Sequence, residues 1–521
     1  MSSSRTGSSR TSSDGSEVEL LKEKHDFDHN AQNTNASPWM GIGPSRQIPK
    51  VTLCLSVKFL VKLAGQLFNL LIPSFLQRRI LNDQAKPDKV APTAFLDGMR
   101  GLAAFVVFIC HLTYGTFDIA HAWGAVTDPE HQPISVYREY LRLPIVRLLY
   151  SGPPMVAIFF VISGYALSYK PLKQMRSQQQ DQLMTTMTSS IFRRGLRLFI
   201  PCFASTFLVI CLAQLNLYKL TEGFANQMRM IRESHCYTQP TPWLQFTDYL
   251  VQLLIFVDVF NWGIFAGSIE LDRHLWTIPV EFRCSMALFL TQMMVARMSS
   301  RLRLSTLAAL LVWGTSWDRW DMCPFWAGMV IAELDIIWTV PKASELPSVA
   351  NSPPPAKTRL SSKILYWSTF CVSLFLLSFP DIDAHVTPGY LTLTSLIPVN
   401  FTQKHRFWPN IGAVMIVWSS SRLGFWRNKA FCWSPIQYLG KISFPLYLMH
   451  GPVIHTLGYM ILPRTPEVET PEIMRRFEFE FLKSSIVIVL AVIWAADVFL
   501  RAVDTPCVNF ARKLEKVFFT G

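Results

Sequence analysis

Long apolar runs alternate with short polar loops along most of this chain. From residue 97 onward, ten runs reach or approach the length that a helix needs to cross a lipid bilayer. The predicted spans cover residues 97–116, 150–169, 197–217, 275–297, 303–318, 322–340, 364–380, 408–421, 439–461 and 483–503. The pattern therefore predicts an all-α, polytopic integral membrane protein, folded as a helical bundle of about ten transmembrane helices.

The segments before the first span are polar or amphipathic. Residues 1–50 are rich in Ser and predict a disordered cytoplasmic tail. Residues 51–90 begin with an apolar stretch in which Lys58 and Lys62 lie about one helical turn apart, on the same face. This spacing favours an interfacial amphipathic helix followed by a linker, and a short transmembrane span is the alternative.

Three further segments differ from the repeating pattern. Residues 341–363 are rich in Pro and Ser and predict a cytoplasmic loop, and residues 506–521 predict a basic cytoplasmic tail. The apolar stretch 247–267 is ambiguous by hydropathy alone. Counting it as a span would move the basic loops that follow it to the opposite side, so we predict a re-entrant or interfacial segment.

The distribution of charge predicts the orientation of the bundle. Only 16% of residues are charged, although the net charge is +13, whereas a soluble domain contains about 25% charged residues. Because basic residues in short loops remain in the cytoplasm, we predict a multi-pass protein of the plasma membrane or an endomembrane, with both termini cytoplasmic and in contact with anionic membrane lipids. The basic loops that support this orientation are 170–197, 298–303, 341–363 and 422–441.

Composition argues against several other ligand classes. The pattern contains no basic patch on a soluble folded surface, so we predict no nucleic-acid partner. The ten Cys residues form no CxxC pair, and most of them lie in apolar runs. They therefore predict neither a disulfide framework nor a metal site. The sequence predicts no particular oligomeric state.

The first predicted span contains two ionisable residues, Arg100 and His111. They are eleven positions apart, which places them within about 20° of the same helical face and about 16 Å apart along the axis. Ionisable residues inside a span are costly and are functional candidates. An arginine at the cytoplasmic end favours anion binding, and a deeper histidine favours proton transfer. The alternative is a snorkelling arginine and a histidine that bonds a neighbouring helix.

A second pair of polar residues lies in the segment HLWTIPVEF. His274 and Glu281 are seven positions apart, again within about 20° of one face. The functional interpretation places both at a reaction site, and the alternative is that Glu281 is a structural partner of an arginine or histidine. His450, in a later apolar segment, could reach the cavity, but the pattern favours a core histidine with satisfied hydrogen bonds.

Five blocks containing these residues resemble, in order, those of the membrane-bound acyltransferase 3 family, which includes bacterial O-acetyltransferases and fungal proteins. Thr277 replaces the usual Ser of the fourth block, and Pro279 is a local departure from the family pattern. The resemblance covers residues 95–505, which we take as one transmembrane domain. The blocks are FLDGMRGLAAFVVFICH, GPPMVAIFFVISGYALS, FRRGLRLFIP, HLWTIPVEF and LGKISFPLYLMHGPVI.

The resemblance implies transfer of an acyl group, usually acetyl, from cytoplasmic acyl-CoA to a hydroxyl of a carbohydrate or small secondary metabolite. Acyl-CoA is then a co-substrate, and no permanently bound cofactor is implied. Of the matching residues, His111 is the expected general base, with His274 and Glu281 as the other catalytic candidates. The expected ligands of the acyl-CoA phosphates are Arg100, Arg193, Arg194 and Arg197.

Two alternatives to this interpretation stay open. A multi-span bundle with internal Arg, His and Glu is also typical of a proton-coupled transporter of a small metabolite or anion. The sequence shows no repeat between its halves and no paired broken helices, which favours the enzyme. No Ser or Cys stands out as a nucleophile. We therefore expect direct transfer, with a covalent acyl-enzyme as the second option.

Overall fold

The computed structural model is helical throughout the part of the chain that it describes. Within these residues there is no β-strand, so the predicted all-α class is confirmed. The predicted tail 1–50, most of segment 51–90 and most of loop 341–363 lie outside the described residues. The described residues are 62, 65–66, 68–80, 91, 93–117, 119–124, 139–228, 233–263, 267–339, 360–466 and 470–519.

Thirteen helices, α1 to α13, make up the described bundle. They are α1 Ala94–Tyr114, α2 Gly152–Arg176, α3 Gln180–Gln214, α4 Leu217–Asn226, α5 Pro242–Phe256, α6 Thr277–Met294, α7 Ser300–Ser316, α8 Cys323–Thr339, α9 Leu360–Leu377, α10 Lys404–Arg422, α11 Ser434–Val453, α12 Pro471–Phe499 and α13 Thr505–Phe519. Short helices lie at Ser74–Ile80, Glu139–Arg142, Leu391–Ser395 and Tyr459–Ile461. Tighter or wider helical turns lie at Val146–Leu149, Arg273–Trp276, Trp426–Ala430, Ile454–Gly458 and Leu500–Asp504.

Each of the ten predicted spans falls on one of these helices. Five helical stretches are long and apolar enough to cross a membrane: α1, α2, α3, α9 and the continuous stretch formed by α12 and α13. An integral membrane protein is therefore supported, whereas the number of ten spans and the orientation of the termini stay predictions. Of the ambiguous stretch 247–267, residues 247–256 form the end of α5, and the described residues after it, 257–263 and 267, are irregular.

Close contacts between helix backbones fix the centre of the bundle. Where α1 crosses α11, a Cβ atom at Gly101 or at Gly440 would collide with the backbone of the other helix. Gly164 on α2 and Gly328 on α8 make a similar close crossing. Small residues allow such close packing between membrane helices. The first crossing fixes α1 against α11, the helices that carry His111 and His450.

Several charges within the bundle lie in ion pairs that connect different helices or a helix and an adjoining segment. Arg303 of α7 lies 3.2 Å from Glu333 of α8, and both side chains are at most 2% exposed. Arg283 of α6 similarly lies 3.1 Å from Asp321, just before α8. Removing one partner of such a buried pair leaves an uncompensated charge. We therefore assign these residues to the support of the fold rather than to a reaction site.

Candidate active site

A cluster of histidines and a carboxylate lies where α1 and α11 meet two connecting segments. His111 comes from the last turn of α1, His450 from α11 and His274 from the turn before α6. The ring centroids lie 5.1 Å apart for His111 and His450, 5.8 Å for His111 and His274, and 4.1 Å for His274 and His450. Glu233 and His455 complete the cluster. The structure thus brings together the two predicted catalytic histidines, His450, which is predicted to lie in the core, and two residues that the sequence analysis did not single out.

His111 and Glu233 form an accessible histidine–carboxylate pair. Nδ1 of His111 bonds Oε1 of Glu233, and the two side chains are 25% and 21% exposed. Burial alone would raise the pKa of Glu233, but the charge of His111 and the hydrogen bonds from His111 and His455 hold this pKa well below its usual range. Within the described residues, Nε2 of His111 has no hydrogen-bond partner, so it is available to a ligand.

His274 and Asp272 form a second histidine–carboxylate pair, and this one is closed. Nδ1 of His274 bonds Asp272, Nε2 lies 2.8 Å from the carbonyl oxygen of Tyr447, and the two side chains of the pair are 6% and 7% exposed. Burial raises the pKa of Asp272 to about 8. A Cβ atom at Gly451 would lie 2.6 Å from Cε1 of His274, so glycine is needed here for close packing. Both ring nitrogens of His274 are engaged, and neither is free to take a proton from a substrate.

His450 is only half satisfied. Its Nδ1 lies 3.2 Å from the carbonyl oxygen of Leu446, one turn earlier on the same helix. The residue is 1% exposed, and its Nε2 is buried without a hydrogen-bond partner in the described structure. The prediction of a core histidine is confirmed for its burial, but the prediction that its hydrogen bonds are satisfied is wrong, because no described donor or acceptor reaches Nε2.

A polar cavity of about 640 Å³ adjoins this cluster on the side of Glu233. Its wall includes Glu233 and His235, and Nδ1 of His235 lies 3.0 Å from Nδ1 of His455. Because Glu233 bonds both His111 and His455, it connects the cluster to the cavity. The remaining wall is predominantly polar and includes Asn216, Lys219, Glu222, Thr238 and Gln239.

Glu281 lies apart from the histidines and bonds an arginine. Its Oε1 accepts hydrogen bonds from Arg194 at 2.7 Å and from Ser163 at 2.9 Å. Nε of Arg194 also donates to Ser285 at 3.0 Å. The contacts of Glu281 match the interpretation in which it is a structural partner of an arginine. They also engage Arg194, one of the expected phosphate ligands, within the bundle.

The other three expected phosphate ligands lie near one another but differ in availability. Arg193 lies 3.1 Å from Glu515 of α13. Arg100 is 43% exposed, lies 3.3 Å from Asp97 on the same helix and donates to Ser443 at 3.0 Å. Arg197 is exposed and lies within electrostatic range of Arg100, and it forms no hydrogen bond with any described residue. Arg197 is therefore the arginine that is most available to an anionic ligand, followed by Arg100, which is more exposed than Arg193 although it also has an ion-pair partner.

The residues that the sequence analysis missed have only weak local signals. Glu233 lies in the polar segment RESHCY between α4 and α5, where a lone carboxylate resembles any solvated loop residue. Asp272 lies two positions before His274, and this short spacing was the one available signal for a pair. Within the described part of the chain, no three His, Cys, Asp or Glu side chains are arranged to hold a metal ion.

The long apolar helices support an integral membrane protein, and comparison with known proteins identifies its class. Residues 93–499 match the family model described as an acyltransferase domain, the acyltransferase 3 family. The chain belongs to this family, as the five sequence blocks predicted, and it is an acyltransferase. No solved structure matches it significantly.

Three fungal relatives support this assignment. The chain is 33% identical over 441 residues to the O-acetyltransferase PaAT-1 of Phomopsis amygdali, covering 81% of this chain and 84% of the relative. It is 27% identical over 470 residues to acyltransferase R4 of a Phoma species, covering 83% and 98%. It is also 27% identical over 455 residues to acyltransferase clz18 of Cochliobolus lunatus, covering 81% and 95%.

Proposed function

We propose that this protein transfers an acyl group, acetyl in the simplest case, from cytoplasmic acyl-CoA to a hydroxyl of a carbohydrate or small secondary metabolite. In this proposal, His111 is the general base. The family and the relative named as an O-acetyltransferase support transfer to oxygen. The proposal adds the donor, the class of acceptor and the residue that moves the proton.

One observation carries the proposal: His111 is bonded to a carboxylate through Nδ1 while Nε2 is unpaired among the described residues. A carboxylate on one ring nitrogen fixes the tautomer, so that the other nitrogen carries the lone pair. The same carboxylate stabilises the imidazolium that forms when the ring takes up a proton. His274 lacks this freedom because both of its nitrogens are engaged.

The proposed reaction neither consumes nor releases a proton overall. Nε2 of His111 takes the proton of the acceptor hydroxyl as its oxygen attacks the thioester carbonyl carbon. The carbon–sulfur bond then breaks, the acyl group remains on the acceptor oxygen, and the imidazolium returns the proton to the departing thiolate. Proton transfer by a positioned side chain contributes about 10²- to 10⁴-fold to the rate of such reactions.

Arg100 and Arg197 are the proposed ligands of the CoA phosphates. Arginine binds phosphate through paired, charge-assisted hydrogen bonds. Arg100 and His111 lie on the same face of α1, separated by about 16 Å along the helix axis. An extended CoA molecule can thus place its phosphates at the arginines and its thioester near His111. Arg194 and Glu281 would support this region through their bond to each other.

The test uses the full-length protein purified in detergent, with labelled acetyl-CoA and propylene glycol as the probe acceptor. An acyltransferase forms acetyl ester and free CoA in equal amounts, in proportion to the amount of protein. A proton-coupled transporter binds or moves its solute without breaking the thioester. Absence of both products above the background without protein would contradict the proposed function.

A further inference from the structure

The unpaired Nε2 of His450 is a buried polar atom at the centre of the histidine cluster that the proposed reaction does not use. Oδ2 of Asp272, beside His274, is a second buried atom without a hydrogen-bond partner among the described residues. His450 is 1% exposed, and its ring centroid lies 5.1 Å from that of His111. The hydrogen bond with the carbonyl oxygen of Leu446 assigns the proton to Nδ1, because a carbonyl can only accept. Nε2 therefore carries a lone pair and requires a donor.

None of the described residues around His450 supplies this donor. Nε2 of His274 faces the carbonyl oxygen of Tyr447, and its Nδ1 faces Asp272. Nδ1 of His111 faces Glu233. A buried acceptor without a donor destabilises the structure, and such groups in native proteins call for an explanation. A ligand that brings a hydrogen-bond donor into the cluster would satisfy Nε2 of His450.

The two unpaired nitrogens of His111 and His450 cannot be satisfied by the same hydroxyl. A hydroxyl group has a single proton to donate, and in the proposed reaction that proton goes to His111. An acceptor with a second hydroxyl on the adjacent carbon supplies a second donor close to the first. An acceptor with only one hydroxyl leaves Nε2 of His450 unpaired.

We propose that the acceptor is a vicinal diol, and that His450 Nε2 accepts a hydrogen bond from the hydroxyl beside the one that is acylated. This inference rests on the proposed function and adds the local chemistry of the acceptor. His450 is then a binding residue that selects and orients the acceptor, whereas His111 moves the proton.

The experiment compares two acyl acceptors that differ in one hydrogen-bond donor. Propylene glycol carries a secondary hydroxyl beside a second hydroxyl, and propylene glycol monomethyl ether carries the same secondary hydroxyl beside an ether oxygen that cannot donate. Esterification of the secondary hydroxyl is measured for both with labelled acetyl-CoA. We expect kcat/KM for the diol to be higher by about 5-fold or more, because the monomethyl ether leaves a buried hydrogen-bond acceptor, Nε2 of His450, unpaired.

Two variants of His450 connect this preference to its Nε2 atom. His450→Asn keeps an amide donor near the position of Nδ1 but has no group at Nε2, so the ratio of the two kcat/KM values should fall to about one. His450→Gln places an amide oxygen near Nε2 and should restore part of the ratio. The control is His385→Asn, because His385 is exposed, and this variant should keep the wild-type ratio.

The outcomes separate this inference from the proposed function. Equal kcat/KM values for the two acceptors in the wild type would overturn the inference, and they are the result expected if an ordered water satisfies Nε2. A preference that persists in His450→Asn would also overturn it. Failure to form ester from either acceptor would overturn the proposed function as well. Should His450→Asn fail to fold, the wild-type ratio still tests the inference.

Discussion

Two histidine–carboxylate pairs lie within one cluster, and they differ in which atoms remain available. His111 bonds Glu233 through one nitrogen, and both side chains are partly exposed beside a polar cavity. His274 bonds Asp272 through one nitrogen and faces a backbone carbonyl with the other, and both side chains are almost fully buried. The same two residue types thus form a pair that can react and a pair that supports the fold.

The arginines show the same contrast. Arg194 bonds both Glu281 and Ser285, so its donors are used within the bundle. Arg197 is exposed and has no hydrogen-bond partner among the described residues. Two arginines of the same sequence block thus differ: one is engaged within the bundle and the other is available to a ligand. Membership of the block does not distinguish them. The hydrogen-bond partners separate them.

The largest expected effect on stability comes from breaking the closed pair. His274→Ala leaves the buried Asp272 without its hydrogen-bond partner, and an unsatisfied buried polar group costs about 1–3 kcal/mol in the free energy of unfolding. We expect a large loss of folded protein and a lower unfolding temperature, measured in detergent by thermal denaturation. The control is His385→Ala at an exposed site. Unchanged stability of His274→Ala would contradict the structural role of this pair.

The next effect comes from neutralising the carboxylate of the accessible pair. We expect Glu233→Gln to lower kcat by about 10- to 100-fold, because the imidazolium loses the charge that stabilises it. Without this negative charge the histidine loses its proton at lower pH. The acidic limb of the pH–rate profile should therefore move to lower pH.

The matched control for Glu233→Gln is Glu222→Gln, which changes another carboxylate on the wall of the same cavity. This control should keep both the rate and the pH profile of the wild type. An unchanged profile in Glu233→Gln, or an equal shift in both variants, would show that Glu233 does not act through His111.

A smaller effect is expected at the proposed binding site for the phosphates of acyl-CoA. Arg197→Ala should raise KM for acetyl-CoA by about 10-fold, because an exposed arginine that binds phosphate contributes on the order of 1.4 kcal/mol, and kcat should change little. Arg194→Ala should instead lower the unfolding temperature, since it leaves Glu281 without its ion-pair partner. Steady-state kinetics and thermal denaturation of both variants check this contrast. A higher KM for acetyl-CoA in Arg194→Ala together with a lower unfolding temperature in Arg197→Ala would contradict it.

The smallest effect concerns packing around the closed pair. Gly451→Ala places a methyl group against His274, and we expect a loss of about 1 kcal/mol in the free energy of unfolding, at the low end for overpacking. The matched control is Gly223→Ala at an exposed position of α4, where a Cβ atom meets nothing within 4 Å. There the substitution should be neutral or slightly stabilising. Chemical denaturation of the two variants measures the difference.

Much of the fold could be predicted because apolar runs reflect a physical requirement of the membrane. Each predicted span coincides with a helix, since a backbone in lipid must satisfy its own hydrogen bonds. Pairings between helices could not be predicted in the same way. The bond between Arg303 and Glu333 depends on how α7 packs against α8, and nothing local to either residue indicates its partner.

The part of the candidate site that lies on one helix could also be predicted from the sequence. The spacing of Arg100 and His111 along a single helix shows that they share a face, because helical geometry alone sets that relation. Glu233 is 122 positions from His111 in the chain and lies in a connecting loop. Its role depends on the tertiary fold, so the sequence pattern did not single it out. Likewise, the engaged nitrogens of His274 became evident only in three dimensions.

The most direct test of the account measures acetyl transfer per amount of folded protein in His111→Ala. The account predicts a fall of about 10²- to 10⁴-fold in kcat, an unfolding temperature close to that of the wild type, and retained binding of acetyl-CoA. Transfer at the wild-type rate by a folded His111→Ala protein would contradict the claim that His111 is the general base.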